Sequence, residues 1–167
     1  MEDFSSQVEA SLRLKLPKVN IKNFDNIVFL GMGGSAAVGD IFADYYNNKP
    51  VIVIKSYDIP KWINKKSLVF VMSYSGNTEE TISMYKQAKK RGCKTIIITS
   101  NGFLGKVKGA IIVKGGMQPR DALPTMLIPV LRIFGNKDIS SLSGLEDKVD
   151  RNIVKELAEK LSSQSIV

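Results

Sequence analysis

Leu68-Val69-Phe70-Val71-Met72-Ser73-Tyr74-Ser75-Gly76-Asn77-Thr78 runs from an apolar, strand-like stretch into a loop of hydroxyls and a glycine, and a helix-like stretch follows it. The same grammar occurs earlier, where Asn26-Ile27-Val28-Phe29-Leu30 leads into Gly31-Met32-Gly33-Gly34-Ser35 and a second helical pattern. A buried strand ending this way before a helix exposes backbone N–H groups at the positive end of a helix dipole. That arrangement suits a phosphate or another anion.

Outward from these loops, nearly continuous apolar runs rich in Val and Ile fall at 26–30, 50–54, 67–72, 94–99 and 110–114. Such runs are expected of strands covered on both faces of a parallel sheet. Helical patterns lie between them at about 35–46 and 78–91, with shorter ones near 60–64 and 102–107. The alternation predicts an α/β fold, a doubly wound five-stranded parallel sheet flanked by helices. In the flavodoxin-like strand order 2-1-3-4-5, strands one and three are neighbours whose connections leave in opposite directions, and ligands bind beyond their carboxyl ends. That order brings both loops to one site.

A helical opening over about 4–16 ends near Pro17. Residues 121–134 read as a helix that is apolar on almost every side, so it belongs in a core or under a partner. Pro124 suits its first turn, while Pro129 should kink or interrupt it. Farther on, Val149, Ile153, Leu157 and Leu161 recur four apart and predict a last amphipathic helix over about 146–162.

The 167 residues are 44% hydrophobic and 24% charged, the balance of an ordinary globular chain able to bury a core. A net charge of +8 raises a nucleic-acid reading. The one cluster, Lys86, Lys89, Lys90, Arg91 and Lys94, reads instead as the solvated face and last turn of a helix, so no nucleic-acid partner is expected. The surplus charge would help attract a small anionic substrate. The apolar stretch 122–134 is shorter than the roughly 20 residues needed to span a bilayer, and it contains Arg132, so no membrane partner is expected. Cys93 is the single cysteine and no apolar run follows the acidic start Met1-Glu2-Asp3, which together predict a cytoplasmic protein. There is no histidine.

Ser73, Ser75 and Thr78 offer three hydroxyls, Gly76 allows turns closed to other residues, and Thr78 through Thr81 supply first-turn N–H groups. A phosphate monoester with its three terminal oxygens fits this set. The competing reading is helix capping, with Asn77 or Thr78 as N-cap and Glu80 or Thr81 closing a box. Glu79 and Glu80 read as first-turn residues that complement the dipole. In the first loop, Gly31 to Ala36 matches the dinucleotide pattern G-x-G-x-x-A. The acidic residue that should end the next strand is replaced by Lys55 and Ser56, which leaves a nicotinamide reading only through a phosphorylated ribose. No lysine follows the glycines as a P-loop requires, and neither a metal nor a cofactor is expected.

Gly31 to Ser35, then Ser73-Tyr74-Ser75-Gly76-Asn77-Thr78-Glu79-Glu80-Thr81, then Gln118-Pro119-Arg120-Asp121-Ala122-Leu123-Pro124, resemble the SIS (sugar isomerase) domain. More narrowly they resemble the archaeal bifunctional phosphoglucose/phosphomannose isomerases, over about residues 20–160. The resemblance implies an aldose–ketose isomerase that interconverts glucose or mannose 6-phosphate with fructose 6-phosphate. It also implies two such domains per chain and a homodimer or association with a second SIS domain. By similarity Ser73, Ser75 and Thr78 hold the sugar phosphate, Gly33, Gly34 and Ser35 approach the sugar, and Arg120 stabilises charge on an enediolate. An arginine stays protonated and presents a fixed fork to developing oxyanions.

The same resemblance places the general base, a glutamate, and the ring-opening histidine in the second domain. Neither role transfers to a residue of this chain. The expected layout is a helical segment at 1–20, a phosphosugar-binding domain at 21–145, and a helix at 146–167 connecting to a second domain. A stand-alone, non-catalytic phosphosugar-binding or regulatory module is the alternative, and a nicotinamide-binding oxidoreductase domain stands behind it.

Overall fold

The computed structural model describes residues 4–135. In chain order the elements are α1 (Phe4–Leu12), a 3-10 turn (Ile21–Asn23), β1 (Asn26–Leu30), α2 (Gly33–Tyr45), β2 (Val51–Ile54) and β3 (Ser67–Met72). They continue with α3 (Glu79–Lys90), β4 (Lys94–Thr99), α4 (Gly102–Gly105), β5 (Ile111–Ile112) and α5 (Leu123–Ile133). The strands form one five-stranded sheet in the order β2-β1-β3-β4-β5. Every pairing is parallel, with Phe29 opposite both Val53 and Phe70, and Ile98 opposite Ile111. This is the expected doubly wound order, and it leaves β1 and β3 side by side.

The period-two alternation of a strand divides the core into two layers. Ile27, Phe29, Leu68, Phe70, Met72, Ile96 and Ile98 face one side and pack with Phe42 of α2 and Met126 and Ile128 of α5. Val28, Leu30, Val69, Val71 and Ile97 face the other and pack with Met84 and Ala88 of α3 and Leu104 of α4. Phe29 and Phe70 stack with ring centroids 5.0 Å apart, and Phe42 lies 5.4 Å from Phe29. Gly39 lets α2 come down onto this stack: a Cβ there would sit 2.6 Å from Phe29 Cβ and 2.9 Å from Val53 Cγ2. Gly39→Ala is therefore expected to lower stability by about 1–3 kcal/mol despite alanine's better helix propensity, as overpacking does. A urea unfolding curve checks it; a gain in stability would mean that α2 lifts off the sheet at no cost.

The helix that reads as apolar all round lies in the core of this chain. Thr125, Met126, Ile128, Pro129, Val130 and Leu131 of α5 are buried, against the sheet, α2 and α1. Thr125 Oγ1 donates to Gln7 Oε1 at 3.0 Å, and the Arg132 guanidinium donates to the carbonyls of Ser11 and Leu14 at 2.8 and 3.0 Å. These bonds lock α1 to α5. Of the two expected settings α5 takes the core, since the sheet, α1 and α2 cover it among the described residues. The helix also runs through Pro129 without the expected interruption.

Two further expectations change. Residues 60–64 form a turn instead of a short helix. Ile59 and Ile63 are buried at helical spacing, but the carbonyls of Ile59, Pro60 and Ile63 accept from the Arg91 guanidinium. Gln87 pins the same segment through its bonds to Tyr57, Asp58 and Ile59. The opening helix stops at Leu12, short of Pro17. The helix read over 146–162 lies outside the described residues. Among the described residues no helix is long and apolar enough to cross a membrane.

Candidate functional site

The parallel pairing of β1 and β3 places their carboxyl ends together, and both loops open there. Gly31 ends β1 so close to its neighbour that a Cβ would stand 2.9 Å from the carbonyl oxygen of Met72. Ser35 then accepts a hydrogen bond on Oγ from the backbone N–H of Tyr74 at 3.2 Å, which ties the first loop to the second. Gly34 faces the third motif: a Cβ there would lie 3.5 Å from Pro119 O and 3.8 Å from Arg120 Cα. Three stretches far apart in sequence therefore meet at one place. Gly33 opens α2 with φ +50°, and nothing lies within 4 Å of where its side chain would be.

In the second loop, the hydroxyls of Ser73 and Thr78 share a hydrogen bond at 2.9 Å, and the Gly76 N–H donates to Ser73 Oγ at 3.1 Å. Ser75 is exposed and accepts from the Asn77 N–H at 3.3 Å. Thr78 is the N-cap of α3, yet its side chain makes no capping bond. Asn77, the other capping candidate, turns its Oδ1 to the Phe103 N–H at 2.8 Å. Thr81 is fully buried and its Oγ1 has no partner among the described residues. The capping box does not form, so the first-turn N–H groups are left without side-chain caps beneath a loop whose Ser75 and Asn77 are exposed while Ser73, Tyr74 and Gly76 are buried. Glu79 and Glu80 occupy the first turn, as read from the sequence.

Arg120 lies in a turn closed by the Asp121 N–H donating to Gln118 O at 2.9 Å. Its side chain is 86% exposed and comes no nearer to Asp121 than 3.9 Å, so no strong partner holds it among the described residues. Lys55, which the dinucleotide reading enlists for a phosphorylated ribose, ends β2 in an ion pair with Asp40 at 2.8 Å. The basic cluster caps and braces α3: Lys89 and Lys90 fill its last turn, and Arg91 holds the 59–63 segment. Cys93 is buried, donates to Asn64 O, and has its thiol pushed up by that burial, with Arg91 opposing the shift. Among the described residues, no three of His, Cys, Asp and Glu gather closely enough to hold a metal ion.

Two contributors were not legible as site residues. Tyr74 stands between the two serines, and its carbonyl accepts from the Ser100 N–H at 3.0 Å and from Ser100 Oγ at 2.6 Å. Gly102, φ +72°, lets α4 close on the second loop, since a Cβ there would come within 2.3 Å of Ser75 O. A signal for the second existed: Ser100-Asn101-Gly102 after β4 repeats, in miniature, the polar glycine loop after a strand.

The SIS domain model matches residues 20–107. The bifunctional phosphoglucose/phosphomannose isomerase of Thermoplasma acidophilum is 41% identical over 133 residues, covering 77% of this chain and 43% of the relative. The enzyme of the same name from Aquifex aeolicus is 40% identical over 139 residues, covering 78% and 43%. The chain thus spans less than half the length of these curated relatives. Among solved structures, tagatose-6-phosphate ketose/aldose isomerase from Escherichia coli superimposes with a TM-score of 0.61 at 20% identity, over 92% of this chain and 46% of that one. A Methanococcus jannaschii protein with an inferred 3-hexulose-6-phosphate isomerase function gives 0.56 at 20% identity, over 91% and 82%. At that identity these structures speak for the fold. With a family model covering more than half of its residues and the two glycine loops opening side by side on the expected sheet, the chain belongs to the SIS domain family.

Proposed function

We propose that this chain is the phosphosugar-binding domain of an aldose–ketose isomerase interconverting glucose 6-phosphate or mannose 6-phosphate with fructose 6-phosphate. One observation carries the reading. The uncapped start of α3, the Ser35–Tyr74 bond and the approach of Gly34 to Arg120 bring anion donors and an exposed cation to one end of the sheet. Ser73, Ser75 and Thr78 hold the phosphate with the first-turn amides. Gly33, Gly34 and Ser35 leave room for the sugar. Arg120 is the catalytic residue of this chain, offering its guanidinium to the negative charge that develops when a proton leaves the carbon beside the carbonyl.

Moving that proton between adjacent carbons needs a base within hydrogen-bond reach. Glu79 and Glu80 lie beside the phosphate site and would repel the bound anion if they turned inward, so the base and the ring-opening acid come from a second SIS domain or a partner subunit. In this reading 21–145 is the binding domain, 146–167 connects onward, and the working enzyme is a cytoplasmic homodimer or two-domain assembly. The absence of histidine in the chain favours a second reading, a non-catalytic module that senses the same phosphosugars.

Calorimetric titration with fructose 6-phosphate, and isomerase assays of the chain alone and mixed with a second SIS domain, separate the two. Binding with turnover in the mixture supports the isomerase; binding without turnover in either format supports the sensor; stabilisation by a nicotinamide cofactor alone overturns both. In the reconstituted enzyme, Arg120→Ala is expected to lower kcat by about 100-fold or more, as loss of an oxyanion donor does, with a much smaller change in KM. A change in KM alone would remove Arg120 from the enediolate role.

A further inference from the structure

The Tyr74 hydroxyl is bonded on both sides of a bend. It donates to the Lys114 carbonyl at 3.0 Å and accepts from the Met117 N–H at 3.1 Å. Between those two points lie Gly115 and Gly116, both exposed, with Gly116 at φ +92°. Glycines give this stretch more conformational freedom than other residues would, so its path depends on what fastens it. Three residues after Met117 comes Arg120, whose side chain has, among the described residues, the weak 3.9 Å contact to Asp121. The reach of the guanidinium is therefore centred on where its backbone lies, and that backbone follows the fastened bend.

Tyr74 is itself fixed. The residue is 6% exposed and belongs to the core layer shared with Phe70 and Met126. Its N–H is bonded to Ser35 Oγ and its carbonyl to Ser100, so it is anchored to the first loop and to the end of β4 at once. It also sits between Ser73 and Ser75.

We propose that Tyr74 is a positioning residue: its hydroxyl fastens the 114–117 bend to the phosphate-binding loop and so holds Arg120 over the sugar end of the site. This rests on the isomerase reading above. The side chain reaches neither the phosphate nor the reacting carbons. It acts through Arg120, joining the group that anchors one end of the substrate to the group that stabilises charge at the other.

Tyr74→Phe keeps the buried ring and deletes both bonds. Three measurements on the chain test the proposal. Calorimetry with inorganic phosphate reads the anchoring loop. Calorimetry with 5-phospho-D-arabinonate, whose carboxylate stands in for the enediolate oxygens, reads the loop and Arg120 together. Amide hydrogen exchange at Met117 and Asp121 reads the bend. The expected result is phosphate affinity within about twofold of the unaltered chain, a loss of about tenfold for the phosphorylated aldonate, and faster exchange at both amides. Adding Tyr74→Phe to Arg120→Ala should cost no more than Arg120→Ala alone, because both act through one group.

Unchanged aldonate affinity, a further loss in the Arg120→Ala background, or unchanged exchange at Met117 and Asp121 would each overturn the positioning role. The functional reading fails separately: an unaltered chain that binds neither phosphate nor the aldonate removes the site itself, and exchange at the two amides then still decides whether Tyr74 fastens the bend.

Discussion

Gly76→Ala is expected to cost roughly 3–5 kcal/mol of folding stability and to abolish phosphate binding with it. The residue stands at φ +69°, where an L side chain adds about 1–2 kcal/mol of strain. Space is the larger problem. A Cβ there would lie 1.8 Å from Asn101 O and 2.8 Å from Asn101 C, both backbone atoms that no rotamer change can move aside. Relief requires the second loop and α4 to separate. That breaks the bond from the Leu104 N–H to Gly76 O at 3.0 Å and the one from the Phe103 N–H to Asn77 Oδ1 at 2.8 Å, each worth about 0.5–1.5 kcal/mol. Gly92 supplies the control, since it has φ +71° with nothing within 4 Å of its would-be Cβ. Gly92→Ala should show the conformational cost alone, about 1–2 kcal/mol. Urea midpoints of the two variants decide the matter. Equal losses would mean that the loop and α4 are not interlocked.

The second large effect lies in the loop proposed to hold the phosphate. Ser75→Ala and Thr78→Ala are each expected to weaken binding of fructose 6-phosphate and of inorganic phosphate by about 1–3 kcal/mol, or roughly 5- to 150-fold. Ser75 is exposed and engages only a local N–H, and Thr78 shares its hydroxyl with Ser73 and caps nothing, so neither deletion removes a long-range structural bond. Melting temperatures should accordingly change little while affinity falls. Thr78→Ser, which keeps the hydroxyl, should retain most of it. If both alanine variants bound phosphate as the unaltered chain does, the loop would be a turn and nothing more. If Thr78→Ala lowered only the melting temperature, the hydroxyl would serve the fold through its bond to Ser73 and not the ligand.

Strand positions and their order were legible because β1, β3 and β4 are short, continuous Val- and Ile-rich runs closed by Gly, Ser or Asn, with helical periods between them. The same punctuation marked both glycine loops. What was not legible depended on side chains reaching across the fold. Ile59 and Ile63 have helical spacing, and only Arg91, about thirty residues away, decides that their carbonyls go to a guanidinium instead of to a helix. Pro129 looked like a break, but burial against the sheet outweighs one missing N–H. Tyr74 read as filler between two serines, since nothing local shows that its ring enters the core or that its hydroxyl meets residues 114 and 117. Arg120 was placed by family likeness; its proximity to Gly34 became visible only with both backbones in place.

The bond joining Ser35 to Tyr74 spans 39 residues, and it exists only once two parallel strands have paired across a helical crossover. Contacts of that range form late, because chain closure precedes any reward for them. A molecule refolding from urea should thus acquire ligand affinity only near the end of its collapse. Saturating phosphosugar would then leave the refolding rate nearly unaltered and lengthen the lifetime of the finished state, showing itself in the unfolding limb of a chevron.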